Sequence, residues 1–266
     1  MKETIPASSL ILVLLLSVLS TDAHAFTRSR DPDTKACLWW KHRLVKVVLN
    51  NACSQDVPVN NCANAVWTTL DVWNNPTCSD FRFVSGGTTS RTDVGFDQDN
   101  WDDNINLIIW QNDNWPHDDS AIALTTSTYD RLTGEVVDTD VEFNGVNFTF
   151  STAESPDVIV DISNTLAHEA GHMLGLDHSS DTSASMYAYA PEGETQKRNL
   201  SQDDIDGLCH VYPAGLDLPP CEGFIPPDNT DNGGGCGCTT KGQTLPSWFG
   251  WLIVLAFGFI DSRRRG

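Results

Sequence analysis

The nineteen residues Asp161 to Ser179 (DISNTLAHEAGHMLGLDHS) constrain this chain more than any other segment. His168 and His172 are spaced i and i+4, so on a helix they stand about 40° apart and present both imidazoles to one side. Asp161 or Ser163 is placed to cap that helix, which the spacing carries through Leu174. Gly175 then tolerates the positive φ that ends a helix sharply, and His178, three residues on, can swing back as a third nitrogen ligand. Glu169 adjoins the first histidine and projects beside the same point. Three protein ligands leave a tetrahedral cation such as zinc with one open position, as in a reactive centre and unlike a closed structural one. With 7 His and 19 Gly in 266 residues, three His, one Glu and one Gly at these offsets arise by chance with a frequency of roughly 10⁻⁵. Core histidines on an ordinary amphipathic helix do not account for the pattern.

The run His168-Glu169-x-x-His172-x-x-Gly175-x-x-His178 matches the motif of the metzincin zinc peptidases, and Ser179 directly after it resembles the matrixin variant. Met186, within Ser185-Met186-Tyr187, stands where metzincins place a methionine turn beneath the metal. Leu200 to Gly207 (LSQDDIDG) is similar to the start of the last matrixin helix, with Ser201 and Asp204 as a capping pair. The resemblance covers residues 37 to 213 and is densest from 161 onwards. It implies an α+β metzincin fold: a twisted, mostly parallel five-stranded sheet, an active-site helix and a C-terminal helix. It also implies a zinc metalloendopeptidase with His168, His172 and His178 as metal ligands, and with Gly175 and Met186 structural at the site. Zinc chemistry lowers the pKa of a bound water to about 7 and polarises the scissile carbonyl. Glu169 would take the water's proton as general base and return it to the departing amine. The strand near Ala121 to Thr125 is then the sheet edge that pairs with an extended peptide. The alternative, from a different class, is a non-catalytic surface module that binds zinc and calcium. Glu169 separates the two, because a degenerate domain has no use for a carboxylate there.

Departures from the family pattern are informative. The propeptide motif whose Cys occupies the zinc is absent, and Cys37 is either a short switch or half of a disulfide. Between Asn50 and Ile162 His117 is the lone histidine, which argues against a second, structural zinc. Astacin-type enzymes place a tyrosine two residues after the methionine; here that position is Ala188, so Tyr187 and Tyr189 are expected to pack near the cleft wall. Asp138, Asp140 and Glu142 alternate along a predicted strand, putting three carboxylates on one face. Calcium or a solvated acidic face accounts equally for them, and for Asp97, Asp99, Asp102 and Asp103. His42 and His210 have no partner pattern and read as surface or packing residues.

Elsewhere the elements are sparser. Arg43–Leu49 reads as a strand, Val57–Trp73 as a helix stopped by Asn74-Asn75-Pro76, and Ile105–Trp110, Ala121–Thr125 and Glu135–Phe143 as further strands. Residues 1–25 carry Lys2, the apolar run Leu10 to Leu19 and Ala23-His24-Ala25, the pattern of a cleaved signal peptide, which would leave Phe26 first. Residues 26–213 then form the catalytic domain and 214–235 a Pro/Gly-rich acidic linker. Residues 236–266 hold Cys236-Gly237-Cys238, an apolar run from Leu245 to Ile260 read as a short helix, and Arg263-Arg264-Arg265. Sixteen helical residues span about 24 Å, short of a bilayer core. The order resembles the C-terminal sorting signal of myxobacterial surface proteins, which implies removal of the helix and attachment to the cell envelope.

Export suits eight cysteines. Cys37, Cys53, Cys62, Cys78, Cys209 and Cys221 are candidate disulfide partners, with 15 pairings open. The remaining two belong to the sorting-type motif. With 16 Lys+Arg against 36 Asp+Glu and a net charge of −20, nucleic acid is excluded as a partner, and membrane contact is confined to the C-terminal segment. What remains is an exported protein, secreted or held at the outer envelope, expected to act as a monomer on protein or peptide substrates.

Overall fold

The computed structural model describes residues 25–153, 155, 157–219, 221 and 249–254. In chain order the elements are β1 (Thr27–Arg28), β2 (Leu44–Asn50), α1 (Val59–Asn74), β3 (Arg82–Thr89), β4 (Asn106–Gln111), β5 (Ala123–Asp130), β6 (Val136–Asn144), β7 (Phe150–Ser151), β8 (Val160–Asp161), α2 (Ile162–Met173), β9 (Leu176–Asp177), α3 (Gln202–Val211) and β10 (Phe249–Val254). The main sheet has the order β10-β5-β6-β4-β2-β3. Strands β3, β2, β4 and β6 are mutually parallel and β5 runs antiparallel to β6. These five make the expected mostly parallel sheet of an α+β fold. The sixth strand, β10, lies antiparallel on the free edge of β5.

Binary patterning builds the layers. Val45, Val47 and Leu49 alternate on β2 and turn one face into the main core. There they meet Val66, Leu70 and Trp73 of α1 and Leu166 and Ala170 of α2. Trp73 ties the two helices, its indole Nε1 donating to the Ala167 carbonyl at 3.0 Å. The opposite face is covered by the chain between β3 and β5. Gly95 and Leu107 donate backbone N–H groups to Asp140 there, and Gln111 and His117 reach Glu142. Asp138, Asp140 and Glu142 are therefore 3%, 2% and 3% exposed, which overturns the reading of a solvated acidic face. By contrast, Asp97, Asp99, Asp102 and Asp103 are exposed.

Strand β3 has no counterpart among the sequence expectations. Its segment, RFVSGGTT, combines two glycines with a polar end, a poor strand signal. The backbone explains them: a Cβ at Gly86 would lie 2.7 Å from Val48 Cγ2, at the point where the β2–β3 register shifts.

Disulfides Cys37–Cys221, Cys53–Cys62 and Cys78–Cys209 select one of the open pairings and remove Cys37 from any switch role. The first carries the fold past the expected boundary at Pro213. Ala214 N–H donates to the Cys78 carbonyl and the Arg43 guanidinium to that of Leu216, so the start of the supposed linker packs on the domain. The apolar tail expected to be helical is a strand over Phe249–Val254, where β5 offers an unpaired edge. The leader, the rest of the linker, Cys236-Gly237-Cys238 and the arginine cluster lie outside the described residues.

Candidate metal centre

Asp161 caps α2, its carboxylate accepting from Asn164 N–H at 2.7 Å, and the Arg198 guanidinium pins the same carboxylate. The helix ends at the Leu174 C-cap, and Gly175 follows at φ +93°. That conformation favours glycine, and a Cβ there would also fall 2.5 Å from the Leu38 carbonyl oxygen. The chain then turns into β9, held by β1, and delivers His178.

His168, His172 and His178 converge, with one nitrogen of each within 4.8 Å of the others. Among the described residues this is the one group of three or more His, Cys, Asp or Glu that does so. His168 Nδ1 lies 2.7 Å from the Ser185 carbonyl and His172 Nδ1 lies 2.9 Å from that of Leu176. A carbonyl can only accept, so both Nδ1 atoms carry the proton and both Nε2 atoms keep a lone pair. Those two Nε2 atoms face one another at 3.2 Å, and His178 Nε2 is buried with no partner. Two facing lone pairs beside a third buried nitrogen without a partner suit a bound cation. Burial holds all three imidazoles below the ordinary histidine pKa, His172 at about 3, so they are neutral and ready to ligate.

Glu169 is 1% exposed. Burial pushes its carboxyl up to about 7, against a lowering hydrogen bond from Thr125 Oγ1, which donates to Oε2 at 2.7 Å. A carboxyl poised near neutrality beside a metal site can exchange protons at working pH.

Met186, 1% exposed, lies directly under α2. Its backbone N–H and that of Ser185 donate to the Asp204 carboxylate, which also closes the capping box of α3 with Ser201. The last helix thus fixes the turn that fixes His168. Gly171, hidden in the two unspecified positions of the histidine motif, is a site residue that pattern reading passed over. A Cβ there would stand 2.1 Å from Met186 Sδ.

A cleft opens beside His168 and Glu169, between the start of β5 at Ile122 and Ala123 and the loop at Ala188 and Ala190. Lys197 borders it too. Sequence reading missed this lysine, since nothing in an isolated Lys marks it as buried, yet its side chain is 3% exposed. Its ammonium donates to the carbonyls of Tyr187 at 2.5 Å and Tyr189 at 2.9 Å, so those tyrosines serve the wall by their backbone. Tyr189's side chain is exposed. His42 and His210 are exposed, and the His210 ring lies 5.4 Å from that of Phe26.

Comparison with known proteins agrees with this geometry. The Matrixin family profile matches residues 39–213. Metalloendoproteinase 5-MMP of Arabidopsis thaliana is 36% identical over 102 residues, covering 37% of this chain and 25% of that protein. Metalloendoproteinase 1 of Glycine max is 52% identical over 52 residues, 20% and 17% of the two chains. Matrix metalloproteinase-C of Caenorhabditis elegans is 27% identical over 184 residues, 66% and 29%. The matched region spans less than a third of each of these relatives.

Proposed function

Because the chain belongs to the matrixin family, we propose that it is an exported zinc metalloendopeptidase in which Glu169 is the general base. The observation that carries this reading is the convergence of three neutral imidazoles, two with Nδ1 tied to a carbonyl, on a point beside a buried carboxyl. His168, His172 and His178 would hold zinc, which when bound supplies Lewis acidity and makes water nucleophilic near neutral pH.

The chain's own groups do the rest. The outer side of β5, which β10 pairs with from Thr125 to Asp130, would offer backbone hydrogen bonds to an extended peptide in place of that strand and lay it across the cleft. Thr125 holds one oxygen of Glu169, leaving the other to receive a proton from the attacking water. That proton goes to the departing amine as the C–N bond breaks, so water is divided between a new carboxylate and a new amine and no side chain becomes acylated. Ser185 and Leu176 keep the ligand histidines in one tautomer throughout. Export is supported by the leader pattern and by three disulfides, and attachment to the outer envelope by the order of features in residues 236–266.

Glu169→Gln is the test. Zinc content should be unchanged while kcat/KM on a casein-derived peptide falls by about 10²- to 10⁴-fold, the range typical of proton-transfer catalysis. Equal cleavage by both proteins would remove Glu169 from the mechanism. A zinc-holding module without catalysis would cleave nothing in either form.

A further inference from the structure

The cleft beside Glu169 contains a charge that peptide-bond hydrolysis does not need. Lys197 Nζ has three N–H donors, and two are used by the carbonyls of Tyr187 and Tyr189. The third has no acceptor within hydrogen-bonding distance among the described residues. Glu194 is the nearest carboxylate at 4.0 Å, beyond hydrogen-bond reach, and it is turned toward the Asn164 amide. Lys197 cannot retreat, because its backbone N–H is tied to Asn164 Oδ1 at 2.8 Å and its side chain is buried. Ile122, Ala123, Ala188 and Ala190 share the lining with Asn164, Thr165, His168 and Glu169, and Lys197 is the one basic side chain among them that carries an ammonium; buried and with a spare donor, it favours an anionic acceptor.

The side of the scissile bond follows from the sheet edge. Strand β10 shows how an extended segment lies on β5: antiparallel, with its last residue, Val254, opposite Thr125. Thr125 is the residue bonded to Glu169. A peptide in that direction runs on past the reacting centre toward Ala123 and Ile122, where the cleft opens. The side chain that enters it therefore belongs to the residue donating the leaving amine.

We propose that Lys197 is a specificity-determining residue, and that the enzyme prefers Asp or Glu immediately after the bond it cleaves. The inference rests on the peptidase reading above. A free charge-assisted hydrogen bond in a buried site corresponds to about a 10- to 100-fold preference. The experiment compares kcat/KM for four peptides that differ only at that position, carrying Glu, Gln, Leu or Lys, using the zinc-loaded wild type, Lys197→Met and Lys197→Gln. Each comparison is a ratio within one protein, so a partly unfolded variant does not distort it. The expected result is Glu over Leu by at least tenfold in the wild type and a ratio near one or below in both variants. Lys197→Gln keeps a donor for the tyrosine carbonyls and serves if Lys197→Met yields no folded protein. Leu at or above Glu in the wild type overturns the proposal, as does a Glu preference that survives loss of the ammonium. Cleavage of none of the peptides, nor of casein, would instead defeat the peptidase reading itself.

Discussion

Single atoms decide the site at Gly171. Glycine inside a helix costs about 1 kcal/mol relative to alanine, so Gly171→Ala should stabilise α2 if space allowed. Space does not allow it. The added Cβ would meet Met186 Sδ at 2.1 Å, Met186 Cε at 3.0 Å and Trp73 Cζ2 at 3.1 Å, and Trp73 is fully buried. Forcing a methyl into such a contact costs about 1–3 kcal/mol, which outweighs the helix gain. The expected net loss is about 1 kcal/mol, a fall in Tm of about 2–4 °C for a domain of this size. Because Met186 lies under the ligand helix, zinc affinity should fall with it. A double-mutant cycle with Met186→Leu checks the cause. The two changes should couple measurably, and additive effects would show that the methionine is not what excludes a side chain at Gly171.

Among the elements, the edge of β5 carries the sharpest expectation. Strand β10 occupies, from Thr125 to Asp130, the backbone groups to which the proposed peptide substrate would pair. A chain ending after Thr239 lacks that strand and should show a KM several-fold lower at unchanged kcat, because uniform binding changes and chemistry does not. An unchanged KM would mean that the tail does not compete at this edge in solution. Legibility divides along the same line. Helix α2, its cap at one of two candidates, the turn at Gly175, the convergence of three imidazoles and the α3 capping box were all legible, since each depends on local spacing. The strand at β10 was not, because an apolar run reads alike as helix or strand until an unpaired edge captures it. Lys197 and Gly171 were invisible for a related reason: burial and close approach are decided by residues distant in sequence. Pairing of the six cysteines needed the folded topology for the same cause.

For the molecule as a whole, pH acts through carboxyls pushed in opposite directions. Asp31 is fully buried; burial raises its pKa, but the Thr34 and Asp33 N–H groups, Arg131 and Tyr129 outweigh this and hold it below the usual range. Its stabilisation is present above the ordinary carboxylate pKa of about 4 and is lost as pH falls through the depressed folded-state value. Asp138 and Asp140 go the other way. Both are raised, Asp138 by burial and then by Asp140, and Asp140 by burial against two backbone donors. In the unfolded chain they ionise near pH 4, whereas in the fold they hold protons longer. Their contribution is therefore complete below that pH and is lost as pH rises through their raised values. The three imidazoles of the metal centre, held below the ordinary histidine value, act on the acid side, where stability is lost as pH falls below about 6.5, so the effect of the carboxyl pair is read above that pH. The net charge of −20 adds a general repulsion of the same sign at higher pH, so the pair must be separated from it. Asp138→Asn does so, removing the pair's repulsion while leaving the overall charge almost unaltered. Thermal melts in chelator-free buffer from pH 6.5 to 8.5, above the range in which the buried imidazoles act, should show a Tm that declines toward alkaline pH in the wild type. The decline should be clearly shallower in Asp138→Asn, with the two proteins differing most at pH 8.5. Parallel curves would assign the slope to the overall charge and remove the pair from the account.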